Sequence, residues 1–287
     1  MATILAAAGA AVLVLLAGNL PWAGFGPITG LMGWNLRAGT SVPWAILPAT
    51  IYLWAYWQFI SGAWGTEGSA ERRTNLRANR LSAGLWVRTL AAGTLGFGAL
   101  LALLVLAARV VRLPEGSPIS TPAGMPAITA VLLLVMASVV AGVSEEAALR
   151  GYMQSMIERR HGLAVAILAG GTIFGLLHFG NHPRDVVMML PYYIVVSAVY
   201  GGLTWAVDSI LPAVVLHSAG DVVVLTRWWL TGRPEWQIGA SAPPLVRDSG
   251  IDTSFIVVSI AAVVLSVLTA LAYRALRRGR LAPVRSV

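Results

Sequence analysis

The sequence predicts an all-α protein, a polytopic membrane bundle of about eight transmembrane helices. Two observations lead to this prediction. Of the 287 residues, 57% are hydrophobic and only 11% are charged, whereas soluble domains contain about 25% charged residues. Apolar runs also recur along the chain at about the 20-residue length that a spanning helix needs. We therefore expect a single integral-membrane domain over residues 1–287 and no separate soluble domain.

The predicted spans are separated by Gly- and Pro-rich connections, among them PWAGFGPITG, LPEGSPISTPAGMP and GASAPPL. Only a few residues near Asp208 join the sixth span to the seventh, which predicts an antiparallel hairpin. The first run resembles a signal-peptide core, but no basic residue precedes it, so we expect a retained helix. The eight spans are residues 3–22, 43–63, 86–109, 126–150, 162–181, 186–206, 210–230 and 253–275.

All twenty basic residues are arginines, and the net charge is +8. We attribute this excess to membrane topology and anionic headgroups, not to nucleic acid. With the N-terminus inside, twelve arginines fall on the inner side and seven on the outer side, which favours cytoplasmic termini. Arg150 belongs to a charged motif in the fourth span and is not counted. The bias to Arg and Ala is typical of a GC-rich bacterial genome. The predicted location is therefore a bacterial inner membrane.

Two further features concern the membrane surface. Residues 66–82 suit either a helix on the inner surface or a solvated loop, and the sequence does not choose between them. Tryptophans cluster at the predicted helix ends, where an interfacial belt is expected. These are Trp22, Trp34, Trp44, Trp64, Trp86, Trp228 and Trp229.

The stretch VSEEAALRGY places charges at the end of a long apolar run. An ionisable group at the centre of a bilayer costs about 2.5–3.5 kcal/mol even on insertion scales. Glu146 and Arg150 are four residues apart on a helix and are therefore able to pair. Glu145 points about 100° away from Glu146. The alternative is a charged helix end at the membrane surface.

Two more pairs have a spacing of four residues on predicted helices. Phe174 and His178 lie in TIFGLLHFG, where a hydrogen-bonded structural histidine is the simpler interpretation. His217 and Asp221 lie in PAVVLHSAGDVVVL, where the carboxylate is placed to orient the imidazole. A polar clamp between helices is the alternative for this pair. The segment NHPRD, with His182 and Arg184, is expected to be a solvated loop.

The combination suits acid–base chemistry on water, since three helices supply two carboxylates and two imidazoles. A glutamate in a dry cavity becomes a usable general base, and an imidazole is able to donate to a developing oxyanion. The absence of cysteine excludes a thiol nucleophile. His and carboxylate side chains also bind zinc. However, the HExxH pattern is absent.

EEAALR fits the motif EExxxR, FGLLH fits FxxxH, and HSAGD fits HxxxN/D, in that order on separate helices. In this the chain resembles the CPBP intramembrane proteases, which include Rce-type CAAX prenyl endopeptidases and bacterial relatives linked to bacteriocins. The resemblance covers residues 145–221, within a predicted catalytic core at about 126–230.

The resemblance implies a glutamate-dependent endopeptidase without a metal cofactor, although zinc is left open. Glu145, assisted by His178, would activate water. His217 and Asp221 would form the oxyanion site, whereas Glu146, Arg150 and Phe174 would have supporting roles. An ionised Asp221 has no proton to donate. We therefore expect Asp221 to orient His217, which donates, instead of being protonated itself.

The expected partners are the lipid bilayer and a membrane-associated peptide or protein substrate. A prenylated substrate is possible, but a bacterial source makes a membrane-bound peptide the better expectation. The main alternative is a non-proteolytic binding or immunity protein of the same fold. A proton-coupled transporter is a third hypothesis, but no symmetric halves are evident. The sequence predicts neither the oligomeric state nor the cleavage site.

Overall fold

The computed structural model describes residues 1–24, 30–115, 119, 123–178, 185–239 and 241–281, without the side chain of Val186. Every regular element in this part of the chain is helical, which confirms the all-α class. The elements are α1 Ala2–Ala23, α2 Leu31–Arg37, α3 Ile46–Ile60, α4 Ser69–Leu76, α5 Ala83–Val110, α6 Ala127–Glu145, a π-helix Glu146–Met153, α7 Gln154–Leu177, α8 Val186–Val207, α9 Leu211–Thr231, α10 Val246–Ser249 and α11 Thr253–Leu281.

Five helical stretches of the described residues are long and apolar enough to cross a membrane. They are Ala2–Ala23, Ala83–Val110, Ala127–Leu177, Val187–Val207 and Thr253–Leu281. The third is 51 residues long and contains most of the predicted spans 126–150 and 162–181. The protein is thus an integral membrane protein with several spans, and the number eight remains a prediction. Helix α3, at 15 residues, is shorter than the about 20 that a perpendicular span needs.

The predicted end of a helix near residue 150 is wrong, because α6 continues through the π-helix into α7. The break comes later, at Gly162, whose φ of 80° and ψ of 171° are far from helical. Glycine adopts this conformation without a steric penalty. The short connection near Asp208 is confirmed, since α8 ends at Val207 and α9 begins at Leu211. The predicted loop residues His182 and Arg184 lie outside the described residues.

The chain divides into two compact units, each made of three separate stretches. The first contains Met1–Ala78, Gly116–Gly162 and Val214–Glu235, and the second contains Asn79–Glu115, Leu163–Ala213 and Trp236–Val287. The single domain and its core at 126–230 remain predictions.

In the first unit, α6 packs against the N-terminal helices. Leu133, Met136 and Val140 of α6 form a buried cluster that includes Trp22. Trp22 is only 3% exposed, so its assignment to the interfacial belt is wrong. Its indole is apolar enough to fill a core position beside small alanines.

Residues 69–76 form a helix, α4, that packs on the π-helix. A Cβ added at Gly151 would lie 3.2 Å from the carbonyl oxygen of Leu76, so the two backbones touch. The Arg77 guanidinium then donates to Ser155 Oγ at 2.7 Å and to Glu158 Oε2 at 2.7 Å. Within the stretch 66–82, residues 69–76 are thus helical, and Ser69, Asn75 and Leu76 are buried. The placement of this helix on the inner membrane surface remains a prediction.

In the second unit, α5 packs against α8 and α11 at a glycine. A Cβ at Gly96 would meet Tyr273 Oη at 2.8 Å and Val199 Cγ1 at 3.0 Å, so a larger residue would separate the helices. The Tyr273 hydroxyl donates to the Val199 carbonyl at 3.0 Å. This hydrogen bond fixes α11 on α8.

Candidate functional site

The π-helix carries Glu146 and Arg150, directly after Glu145 at the end of α6, and all eight of its residues are buried. A π-helix closes hydrogen bonds from residue i to i+5, and short π-helical segments are frequent at functional sites. Glu146 Oε1 lies 3.1 Å from an Arg150 terminal nitrogen, and the side chains are 0% and 2% exposed. The predicted pairing of Glu146 with Arg150 is therefore present. A buried charge requires such a partner, because removal from water is costly.

A close helix crossing brings α9 to this motif. A Cβ placed on Gly142 of α6 would lie 2.9 Å from the backbone nitrogen of Ser218 on α9. Only glycine fits without a shift, because real Cβ contacts are almost never this short. Ser218 directly follows His217 in sequence. The missing side chain at Gly142 thus sets the approach of His217 to the end of α6.

Three carboxylates surround the His217 ring. Nδ1 lies 2.8 Å from Glu146 Oε1, which is a hydrogen bond. Nε2 lies 3.6 Å from Glu145 Oε2 and 3.5 Å from Asp221 Oδ2. Both of these distances exceed the 2.7–3.2 Å range of direct N–H···O bonds. The ring is thus fixed by a hydrogen bond at Nδ1, and its Nε2 faces two carboxylates at longer range.

Exposure divides this cluster in two. The side chains of Glu146 and Arg150 are closed off from solvent, as stated above. In contrast, the side chain of Glu145 is 15% exposed and that of Asp221 is 29% exposed. The buried pair is therefore suited to holding His217, and the two partly exposed carboxylates are suited to meeting a substrate or water.

The shortest hydrogen bond of the His217 ring is not with the residue that was expected to orient it. From the sequence, this contact is expected from Asp221, which is four residues away on the same helix. In the structure the shortest contact is with Glu146 Oε1, 2.8 Å from Nδ1, whereas Asp221 Oδ2 lies 3.5 Å from Nε2. Spacing along one helix predicts same-face neighbours, but it does not give the register between helices, which depends here on Gly142.

The second unit holds the other predicted pair, Phe174 and His178. His178 Nδ1 is 2.8 Å from the Phe174 carbonyl oxygen, so the ring donates from Nδ1 and its lone pair is on Nε2. The two rings meet edge to face with centroids 4.6 Å apart. Tyr193 of α8 stacks on His178 at 4.8 Å and meets Phe174 at 5.4 Å. These aromatic contacts fix the imidazole plane.

Sequence reasoning missed Tyr193 and Glu235. Tyr193 lies in PYYIVV, an apolar run with no spacing that points to His178. Glu235 lies after α9 in the first unit and is partly buried. Burial raises the pKa of the Glu235 carboxyl to about 7, with a smaller upward contribution from Asp221, while its own backbone N–H and Arg227 lower it. A lone glutamate in a Pro- and Trp-containing loop gives no sequence signal of this.

The residues that the structure describes contain no group of three or more His, Asp or Glu side chains arranged to hold a metal ion. The cluster around His217 is instead linked by a hydrogen bond and an ion pair. The arrangement suits proton transfer: one fixed imidazole, one buried counter-charge and two accessible carboxylates.

Residues 127–223 match the family described as type II CAAX prenyl endopeptidase Rce1-like. The match covers about a third of the chain and contains all seven predicted site residues. It confirms the resemblance to the CPBP family stated from the three motifs. No curated protein and no solved structure matches the chain.

Proposed function

We propose that this membrane protein is an intramembrane endopeptidase that hydrolyses a peptide bond of a membrane-associated substrate. The proposal starts from the match of residues 127–223 to the Rce1-like family. The observation that supports this most is the placement of Glu145, Glu146 and Asp221 around one imidazole, with only Glu145 and Asp221 accessible. Such a site supplies both a base and a donor, as peptide hydrolysis requires.

In the proposed reaction, Glu145 takes a proton from water, and the resulting hydroxide attacks the scissile carbonyl. His217 carries a proton on both nitrogens, donating from Nδ1 to Glu146 and from Nε2 to the oxyanion. The Glu146–Arg150 ion pair keeps the ring in this orientation. Glu145 then returns its proton to the leaving amine, so that water is split between the two products.

His178 is proposed to share the water with Glu145. Its lone pair on Nε2 makes it an acceptor, and the Phe174 and Tyr193 rings hold it in one plane. Asp221 is proposed to retain its charge and to stabilise the protonated ring from the Nε2 side. These assignments keep the seven residues predicted from the motifs and add Tyr193.

The proposed substrate is a peptide anchored in the membrane. A prenylated CAAX peptide is the first candidate to assay, because the family description names that activity. An unprenylated membrane peptide of matched sequence is the second. The proposed location is a bacterial inner membrane with both termini in the cytoplasm, as the arginine distribution favours.

Hydrolysis of a fluorogenic peptide by the purified protein in lipid nanodiscs tests the proposal. Glu145→Gln is expected to lower the rate by about 10²–10⁴-fold, the usual contribution of an acid–base group. His178→Ala and His217→Ala should each lower it strongly. Glu67→Gln makes the same chemical change on an exposed loop of the same unit and should retain the parent rate. If Glu145→Gln cleaves as fast as Glu67→Gln, the assignment is wrong, and a binding role becomes the better explanation.

A further inference from the structure

A groove in the second unit runs between the start of α5 and the end of α11. It encloses about 560 Å³. Ser82 and Arg280 line one end, whereas Leu95 and Ala272 line the other. At 1.5 Å per helical residue, the groove is about 20 Å long. It therefore has the length of a lipid acyl chain and not that of a small metabolite.

Small side chains form the walls of this groove. Ala91 and Ala92 lie on α5, and Ala275 and Gly279 lie on α11. Leu85 and Leu276 add apolar surface. An open apolar groove of this kind suits a flexible hydrocarbon chain, which gains from contact with alkane surface.

Positive charge is concentrated toward one end. Arg88 and Arg280 both line the groove, and its lining contains no acidic residue. Arg88 donates from Nε to the Gly84 carbonyl at 3.2 Å, within its own helix. Arg77, Arg109 and Arg280 each form an ion pair with a carboxylate at 2.6–2.8 Å. Among the described residues, no carboxylate lies at such a distance from Arg88. Arg88 is exposed near the start of α5, where an arginine side chain extends to the headgroup region of the membrane.

Arg280 is held in place from the other side. Its guanidinium lies 2.6 Å from Asp208 Oδ2, and the Asn79 amide donates to the Asp208 carbonyl at 2.6 Å. Ser82 adds a hydroxyl at the same end. The charged end therefore presents one fixed guanidinium, one that lacks a carboxylate partner, and a hydroxyl.

We propose that this groove binds one anionic glycerophospholipid, with its phosphate between Arg88 and Arg280 and one acyl chain along the alanine-lined walls. Guanidinium groups bind phosphate through paired charge-assisted hydrogen bonds. Basic pockets between membrane helices are known to bind acidic headgroups. A zwitterionic lipid suits the site less, because its own cation competes with the arginines. The proposal does not depend on the peptidase activity.

The test measures lipid binding by native mass spectrometry of the full chain, titrated in detergent with phosphatidylglycerol or phosphatidylcholine of identical acyl chains. We expect phosphatidylglycerol to bind the parent protein at least about tenfold more tightly, as one charge-assisted contact provides. Arg88→Gln should remove this preference, and Arg88→Lys should keep part of it. Ala275→Phe fills the groove without changing charge and should weaken both lipids.

Arg278→Gln is the matched control, because it removes the same charge from the same end of α11 outside the groove. It should bind both lipids as the parent does. Equal affinity for the two lipids, or equal losses in Arg88→Gln and Arg278→Gln, would overturn the proposal. The proposal would also be overturned if a farnesylated peptide displaced phosphatidylglycerol at a concentration below that of the lipid, since the groove would then be a substrate site. If Ala275→Phe fails to fold, Arg88→Gln and its control still decide.

Discussion

His217 is surrounded by carboxylates, whereas His178 is surrounded by aromatic rings and its own helix backbone. Within the first unit, Glu146 holds His217 Nδ1 at 2.8 Å, and Glu145 and Asp221 face Nε2. Within the second unit, the Phe174 carbonyl holds His178 Nδ1 at 2.8 Å, and Tyr193 stacks on the ring. Both imidazoles are held by a hydrogen bond at Nδ1, so Nε2 is the nitrogen that each ring presents for the proposed chemistry.

The difference indicates different tasks. Carboxylates around an imidazole stabilise added positive charge, which suits a donor to an oxyanion. A backbone carbonyl and two aromatic rings fix tautomer and plane while adding no formal charge, which suits a neutral acceptor. The variants below test this contrast, beginning with the largest expected effect.

Glu146→Ala should destabilise the protein by about 3–5 kcal/mol, because it leaves Arg150 buried without its counter-charge. The free energy of unfolding in mild detergent measures this. His178→Ala, which removes aromatic contacts but no charge, should cost much less, about 0.5–1.5 kcal/mol. Equal losses in the two variants would mean that charge does not distinguish the two regions.

Gly142→Ala should cost about 1–3 kcal/mol through overpacking, because the new Cβ would press on the Ser218 backbone. It should also lower the hydrolysis rate by moving His217 away from Glu145. Gly9→Ala is the control, since nothing lies within 4 Å of a Cβ there. A fully active, fully stable Gly142→Ala protein would show that the helix crossing does not set the site.

Phe174→Leu should lower the hydrolysis rate by up to about tenfold, since aromatic pairs contribute about 0.5–1.5 kcal/mol beyond burial. The variant removes the ring contacts with His178 and Tyr193. If Phe174 only positions His178, the loss should appear in kcat with KM almost unchanged. A loss confined to KM would assign Phe174 to substrate binding instead.

A pH-dependent effect is expected from Glu235, whose pKa is raised from 4.5 to about 7, mainly by burial. The folded protein therefore binds this proton more tightly than the unfolded chain does. The resulting stability is fully present below the unfolded pKa of 4.5 and is lost as pH rises through about 7. Between about pH 5 and pH 8, the Tm of the parent should fall more than that of Glu235→Gln. Parallel curves would contradict this.

The sequence predicted the residues of the site better than their contacts. Three motifs in order pointed to Glu145, His178 and His217 as candidate site residues, because ionisable side chains are rare in apolar runs. The Glu146–Arg150 pair also followed, since residues four apart share a helix face. The hydrogen bond between His217 and Glu146 did not follow, because it depends on how closely α9 approaches Gly142.

The fold shows the same division between local and long-range features. Apolar composition predicted the helical class, and the glycine at 162 lies where one predicted span begins. The π-helix was missed, since EAALRGYM is an ordinary helical sequence and its wider turn reflects tertiary packing. Trp22 was misassigned because position at a helix end predicts an interface, whereas packing against Leu133 and Met136 decides its burial.

The central claim is that Glu145 activates water without becoming bonded to the substrate. Tracing the attacking oxygen with ¹⁸O tests it. A single turnover with excess enzyme in H₂¹⁸O, followed by mass spectrometry of the product and of the peptide containing Glu145, measures it. We expect ¹⁸O in the new product carboxylate and none in Glu145. Label in the Glu145 side chain would reveal a covalent acyl-enzyme, and no cleavage of any membrane peptide would contradict the peptidase assignment itself.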